Sequence, residues 1–286
     1  MVDLSINVTL TQKGLLKKKL PIHVIMGENL RTDDKITDKS FIAYDPEHIG
    51  RGIIIELSDK EKTVSLTLPS PAAPEETEDF FNTVKRISEF TKCQLSFEGE
   101  NKELSEFLLM RDEIQLFNDR VLSQMLSIVT SGETDRYTFP SVKYNLTIGV
   151  EEAESFSADH TKFFRWLHEM QSTDAYFAKP QFFNFKGDTR ETVGIYSFIE
   201  DTVGVYPCKP RVPFGMNDNE TGKPLECDTF KVSIYSTTEK ATIGMIEYDV
   251  FLNEMLKHSK RFDAESFITE KIPLAVLKQL ANDKAF

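Results

Sequence analysis

Two stretches of this chain share one order of hydrophobic periods. Residues 64–100 and 144–188 each carry an apolar alternation, an acidic segment, a stripe of apolar residues spaced three and four apart, and a Phe-x-Gly-acid ending. The first runs Val64-Ser65-Leu66-Thr67-Leu68, then Phe80, Val84 and Ile87, then Phe97-Glu98-Gly99-Glu100. The second runs Tyr144-Asn145-Leu146-Thr147-Ile148, then Phe163, Leu167 and Met170, then Phe185-Lys186-Gly187-Asp188. A period of two puts alternate side chains on one face of a strand, and a period of about 3.6 puts them on one face of a helix. Each stretch therefore predicts strand, helix, strand, and the matched helix positions keep a constant offset. The shared residues are apolar framework and turn glycines. The pattern constrains architecture and leaves the chemistry open.

The fold it predicts is α+β, with mixed sheets built from two related β-α-β units joined by a long helix. The segments are an N-terminal half over 1–101, a helical connector over 102–132 and a C-terminal half over 133–286. Around this frame, Leu4, Ile6, Val8 and Leu10 alternate with Ser5, Asn7 and Thr9, which predicts a half-buried strand. Pro21 to Met26 reads as a short strand, and 28–40 as a polar loop. Ile53 to Ile55 and Val64 to Leu68 flank Ser58-Asp59-Lys60-Glu61 as a hairpin. Pro74-Glu75-Glu76 suits a first helical turn, because proline needs no donor there and acids favour the positive helix end. The 102–129 helix is expected to break near Phe117-Asn118-Asp119, and Ser157-Ala158-Asp159 offers an N-cap to the second stripe. Further on, Val193 to Ile199 and Val203 to Tyr206 read as a hairpin, and 207–224 as a proline-rich loop. Strands over 230–235 and 243–248, a helix over 249–258, a short strand over 262–268 and a helix from Pro273 complete the pass.

Composition narrows the partners. Of 286 residues, 46 are acidic and 34 basic, so the formal net charge is −12. That charge disfavours a phosphate backbone or an anionic membrane as the main partner, and leaves a protein partner. No stretch approaches the roughly 20 apolar residues of a membrane helix. The start, Met1-Val2-Asp3-Leu4, lacks the basic and apolar regions of a signal peptide, and Lys17-Lys18-Lys19 precedes no such region. Cys93, Cys208 and Cys227 are odd in number and widely spaced, which predicts reduced thiols in a cytoplasm.

Each reactive group has a plainer reading beside it. His23, His48, His160, His168 and His258 show no metal-helix spacing, and His160 and His168 fall roughly 80° apart around a helix. They read as solvated or satisfied histidines, so no metal and no cofactor is assigned. Cys208 lies in Tyr206-Pro207-Cys208-Lys209-Pro210, where a lysine favours thiolate, but the sequence names no base for it. Asn217-Asp218-Asn219-Glu220-Thr221-Gly222 has some calcium-loop character, yet positions one and twelve (Asn217 and Asp228) are not the required Asp and Glu. His48-Ile49-Gly50-Arg51-Gly52 carries the Gly-Arg pair of phosphopeptide-binding forkhead-associated domains, but the Ser-x-x-His those need is absent after Ser65. Its glycines read as a tight strand entry. Glu75-Glu76 and Glu151-Glu152 read as solvated helix-start charge. Trp166 reads as core, at i+3 from Phe163.

Arg51-Gly52-Ile53-Ile54-Ile55, Val64 to Ala72 and Asp79-Phe80-Phe81 together resemble a family of uncharacterised proteins of Gram-positive bacteria, a domain of unknown function. The resemblance implies a cytosolic bacterial protein and carries no activity or site residue. The functional expectation is a non-enzymatic, acidic, cytosolic protein-binding module, of which an immunity-type protein is one case. One alternative is an enzyme with its site where the two halves meet, rimmed by the 207–224 loop with Cys208, Lys209 and Arg211. The other is a structural or stress-related protein with no discrete site. No catalytic residue is assigned.

Overall fold

The computed structural model describes residues 4–13, 20–33, 39–58, 62–186, 190–213, 216–218 and 221–284. The fold is α+β with mixed sheets, as the hydrophobic periods predict. By its contacts the chain divides into two compact units, Met1–Ser172 and Thr173–Phe286. The expected boundaries after residues 101 and 132 both fall inside the first unit.

The first unit runs β1 (Ser5–Thr11), α1 (Ile22–Met26), β2 (Ser40–Ala43), β3 (Ile53–Ser58), β4 (Thr63–Pro69), α2 (Pro74–Thr91), β5 (Gln94–Phe97), β6 (Glu100–Lys102), α3 (Leu104–Leu108), α4 (Arg111–Thr130), β7 (Arg136–Phe139), β8 (Leu146–Gly149), α5 (Val150–Ala158) and α6 (His160–Gln171). Strands β2-β3-β4-β1-β5-β6 form one sheet. β4 and β5 both run antiparallel to β1, so they are parallel to each other with β1 between them. The helix α2 makes the crossover the first stretch predicts. Register places Val8 beside Leu66 and Phe97, and Leu10 beside Val64 and Leu95, all on one face. Phe80, Val84 and Ile87 of α2 are buried in the same core. Each such side chain contributes about 1.5–3 kcal/mol by leaving water.

Two local expectations are corrected. Residues 22–26 form a helix where β-branched composition predicts a strand. Arg86 of α2 donates to the carbonyls of Val24 (3.3 Å) and Ile25 (2.8 Å), and Gly27 ends the helix at a φ of 62°. Hydrogen bonds from a neighbouring helix thus override local propensity. The connector breaks at Leu109-Met110, before the expected site. Phe107 is fully buried against Phe81 and Phe97, and this fixes α3 on the first core, which Ile114 of α4 joins after the break. Asn118 stays helical, and its side chain accepts the Ala72 amide at 3.1 Å.

In the second stretch, β8 pairs with β7 in a two-stranded sheet, while β10 pairs with β11 in the second unit. Its two strands therefore lie in different sheets and make no single crossover. Residues 150–158 form a helix of their own before the second stripe, with Glu152 in its first turn accepting the Gly149 amide at 2.9 Å. The helix itself follows expectation: Asp159 caps α6 by accepting the Thr161 amide, and Phe163 and Leu167 are fully buried. Trp166 is half-buried against Phe156. Gly187 and the Asp59–Glu61 turn lie outside the described residues.

The second unit contains β9 (Tyr176–Phe177), β10 (Gln181–Lys186), β11 (Arg190–Ile199), β12 (Gly204–Pro207), β13 (Thr229–Ser236), β14 (Ala241–Glu247), α7 (Tyr248–Met255), β15 (Ser259–Arg261), β16 (Ser266–Thr269) and α8 (Leu274–Lys284). Its sheets are β10-β11-β13-β14 and β15-β16-β12-β9. Tyr196, Phe198, Val232, Ile234 and Phe251 share its core. β11 and β12 sit in different sheets, which corrects the expected hairpin over 193–206. Glu200 after β11 binds the 236–238 turn instead, and Asp201 turns the chain at a φ of 55°.

Candidate functional site

A cleft of about 520 Å³ opens in the first unit. Residues 48–50, the first turn of α2 (73–76), Gln115 and Asp119 of α4, and His160, Thr161, Phe164, Arg165, Leu167 and His168 of α6 line it. These come from all three segments expected from the sequence. The volume falls in the roughly 300–1,000 Å³ range of ligand pockets.

Glu76 sets the loop wall. Its Oε1 accepts the amides of Arg51 (2.6 Å) and Gly52 (2.7 Å), and its Oε2 accepts the Ala73 amide (3.1 Å). It is only 5 % exposed, which corrects the expectation of a solvated charge; Glu75 beside it is exposed. Burial raises the Glu76 carboxyl above its ordinary range, opposed by the three amides and the Arg51 charge. The Arg51 guanidinium donates to the carbonyls of Pro140 (2.9 Å) and Ser70. Gly52 takes a φ of 72°, the tight strand entry read from the sequence.

A stripe on α6 adjoins this loop wall. The Ile49 amide donates to Nδ1 of His168 at 2.9 Å. The acceptor nitrogen is unprotonated, so the neutral ring carries its proton on Nε2 and offers a donor there. His160 Nε2 lies 3.3 Å from Ser123 Oγ. On the α4 side, Gln115 donates to Asp119 (3.3 Å) and accepts from Thr77 (2.8 Å). The α6 residues His160, Arg165 and His168 thus bring basic side chains to the cleft, and Glu75 and Asp119 bring carboxylates. Pro74 and Phe164 supply apolar surface to the cleft, and the buried Ile49 and Leu167 lie beneath its lining. Asp119 also belongs to a shallower depression with Glu113, Leu116, Arg120 and Ser123. Leu116 is 62 % exposed there, and Leu109 is 85 % exposed before the same helix.

One turn along α2 from Glu76, burial and the Asp45 charge push the Asp79 carboxyl up to about 6, while Arg86 and His48 act against them.

Sequence reasoning missed that His48, His160 and His168 line one cleft. For the α6 pair the signal was present, since residues 160, 164 and 168 recur every four positions along one helical stripe. Nothing local places His48 beside them.

Cys208, Lys209 and Arg211 lie in the second unit, and none lines the cleft. Cys208 is exposed, its amide donates to the Glu265 carbonyl at 2.7 Å, and Arg211 pairs with the Glu265 carboxylate. The segment with calcium-loop character is a polar turn in which Asp218 accepts the Thr221 amide at 2.7 Å. Asp228 is committed to the Thr192 amide at 2.7 Å, and Asn219 and Glu220 are outside the described residues. Among the described residues no three His, Cys, Asp or Glu are placed to hold a metal ion, and no helix is long and apolar enough to cross a membrane.

A family model described as a domain of unknown function (DUF4299) matches residues 5–280. The chain belongs to that family. The resemblance carried by Arg51–Ile55, Val64–Ala72 and Asp79–Phe81 is borne out at this level, and DUF4299 assigns no activity to the cleft. No curated protein and no solved structure matches the chain.

Proposed function

We propose that this chain is a non-enzymatic binding protein, and that a segment of a protein partner enters the cleft of the first unit. The observation that carries the reading is the cleft's composition. Apolar Pro74 and Phe164 lie among the basic side chains of α6 and the carboxylates of Glu75 and Asp119, and a polypeptide segment offers carbonyls to the former and N–H groups to the latter. Exposed Leu116 of α4 extends the apolar surface into the depression that shares Asp119 with the cleft. The partner chemistry that fits is an apolar anchor next to a basic side chain, because Glu75, Glu113 and Asp119 border the α2–α4 side and the chain carries −12. A toxin neutralised by an immunity-type protein is one such partner. A cytoplasmic location is part of this reading, and the odd number of cysteines supports it.

The enzyme alternative rests on Cys208, Lys209 and Arg211, and gains no support from the cleft. Capture from a lysate by the wild-type chain and by Leu116→Asp tests the binding reading. The expected result is a protein held by wild type and lost from the variant at unchanged thermal stability. Identical capture by both chains contradicts it.

A further inference from the structure

Ile49 and His168 lie 119 positions apart in sequence and meet at the wall of the cleft, where the Ile49 amide donates to Nδ1 at 2.9 Å. We infer that this contact is a proton-operated latch on the cleft. The bond needs the Nδ1 lone pair. A proton taken from solvent at Nδ1 occupies that lone pair and sets two N–H groups against each other. Imidazole is the side chain whose charge ordinarily changes between about pH 5 and 8.

The surroundings decide what a broken latch releases. On one flank, Tyr44 and Arg31 exchange backbone hydrogen bonds of 2.8 and 3.0 Å. On the other, Glu76 holds Arg51 and Gly52. His48 and Ile49 form cleft wall between these anchors, and Ile49 is 4 % exposed. Acid therefore frees a short piece of wall with its ends held, rather than unfolding the unit. The groups that share the cleft with the ring act both ways. Glu75 and Glu76 of α2 and Asp119 of α4 favour its charged form. His48 of the loop, when protonated, and His160 (likewise) and Arg165 of α6 oppose it. The latch is a property of the partner-free chain, and only its use in docking rests on the binding reading above.

The test is amide hydrogen exchange of the full chain without any partner, read at Ile49 and corrected for the intrinsic pH dependence of exchange. His168 ring resonances are followed in parallel. In wild type, Ile49 protection is expected to fall about five- to tenfold from pH 8 to pH 5, in step with the His168 titration. In His168→Asn, Oδ1 replaces Nδ1 as acceptor and takes no proton, so protection is expected to stay level. His168→Leu is expected to lack the protection at both ends of the range. Where that variant does not fold, the comparison of wild type with His168→Asn decides alone. Level protection in wild type, or an equal fall in His168→Asn, overturns the latch. Because no partner is present, that outcome leaves the binding reading standing, and identical lysate capture leaves the latch standing.

Discussion

The carboxylate of Glu76 occupies the space that a side chain on Gly50 would need. One glycine therefore lets a buried carboxylate reach the amides of Arg51 and Gly52 and draw the loop wall onto the first turn of α2. Gly50→Ala sets a methyl group against that carboxylate, in a place where Gly50 and Glu76 are both buried. The expected cost is about 1–3 kcal/mol in denaturant unfolding, with the cleft perturbed. An unchanged midpoint would mean that the loop shifts without penalty.

Asp79 gives the first unit a pH dependence of definite sign. Its carboxyl rises from the ordinary 3.8 to about 6, chiefly through burial. Between those values the folded chain holds the proton more tightly than the unfolded chain, so stability falls as pH rises from about 4 to about 6. Asp79→Asn removes this slope. Melting curves over pH 4–7 are expected to show the variant gaining on wild type by about 1 kcal/mol after allowance for solvent screening. Parallel curves would rule the effect out.

Glu200 acts with the opposite sign. It accepts from Ser236 Oγ at 2.6 Å, Thr238 Oγ1 at 2.7 Å and the Thr238 amide at 3.0 Å. These hydrogen bonds hold its carboxyl down at about 2. Its contribution is complete above the ordinary 4.5 and fades as pH falls toward about 2. Glu200→Gln is expected to lower Tm at pH 7, and the difference from wild type should close near pH 2. A difference independent of pH would assign the effect to shape rather than charge.

Cys208 and Cys227 should react unequally. Cys208 is exposed, whereas burial pushes the Cys227 thiol up and its Sγ donates to the carbonyls of Thr229 (3.1 Å) and Thr192 (3.5 Å). Labelling at pH 7 is expected at Cys208 well before Cys227, and Cys208→Ser should leave thermal stability unchanged. A loss of fold in that variant would give Cys208 a structural role.

The legible elements are those whose signal is local. The alternation of Ile6, Val8 and Leu10, the proline at the start of α2 and the stripe of Phe163 and Leu167 each place an element where it stands. The misread elements depend on distant partners. The helix at 22–26 is secured by Arg86, and Leu109-Met110 bends because Phe107 must reach the first core. β11 and β12 look like a hairpin until pairing with β13 and β16 separates them. The candidate site was legible only as a stripe on α6. His48 reaches the cleft through Glu76 and His168, residues that no local pattern ties to it.

Entry of a partner segment into the cleft of the first unit is read directly by photo-crosslinking. A photoreactive phenylalanine analogue at position 164, in the cleft, is compared with one at position 183, exposed on β10 of the second unit. A discrete adduct is expected from position 164, falling at least about tenfold when Leu116→Asp is added, with none from position 183. Equal adducts from both positions, or an adduct from 164 untouched by Leu116→Asp, would contradict it.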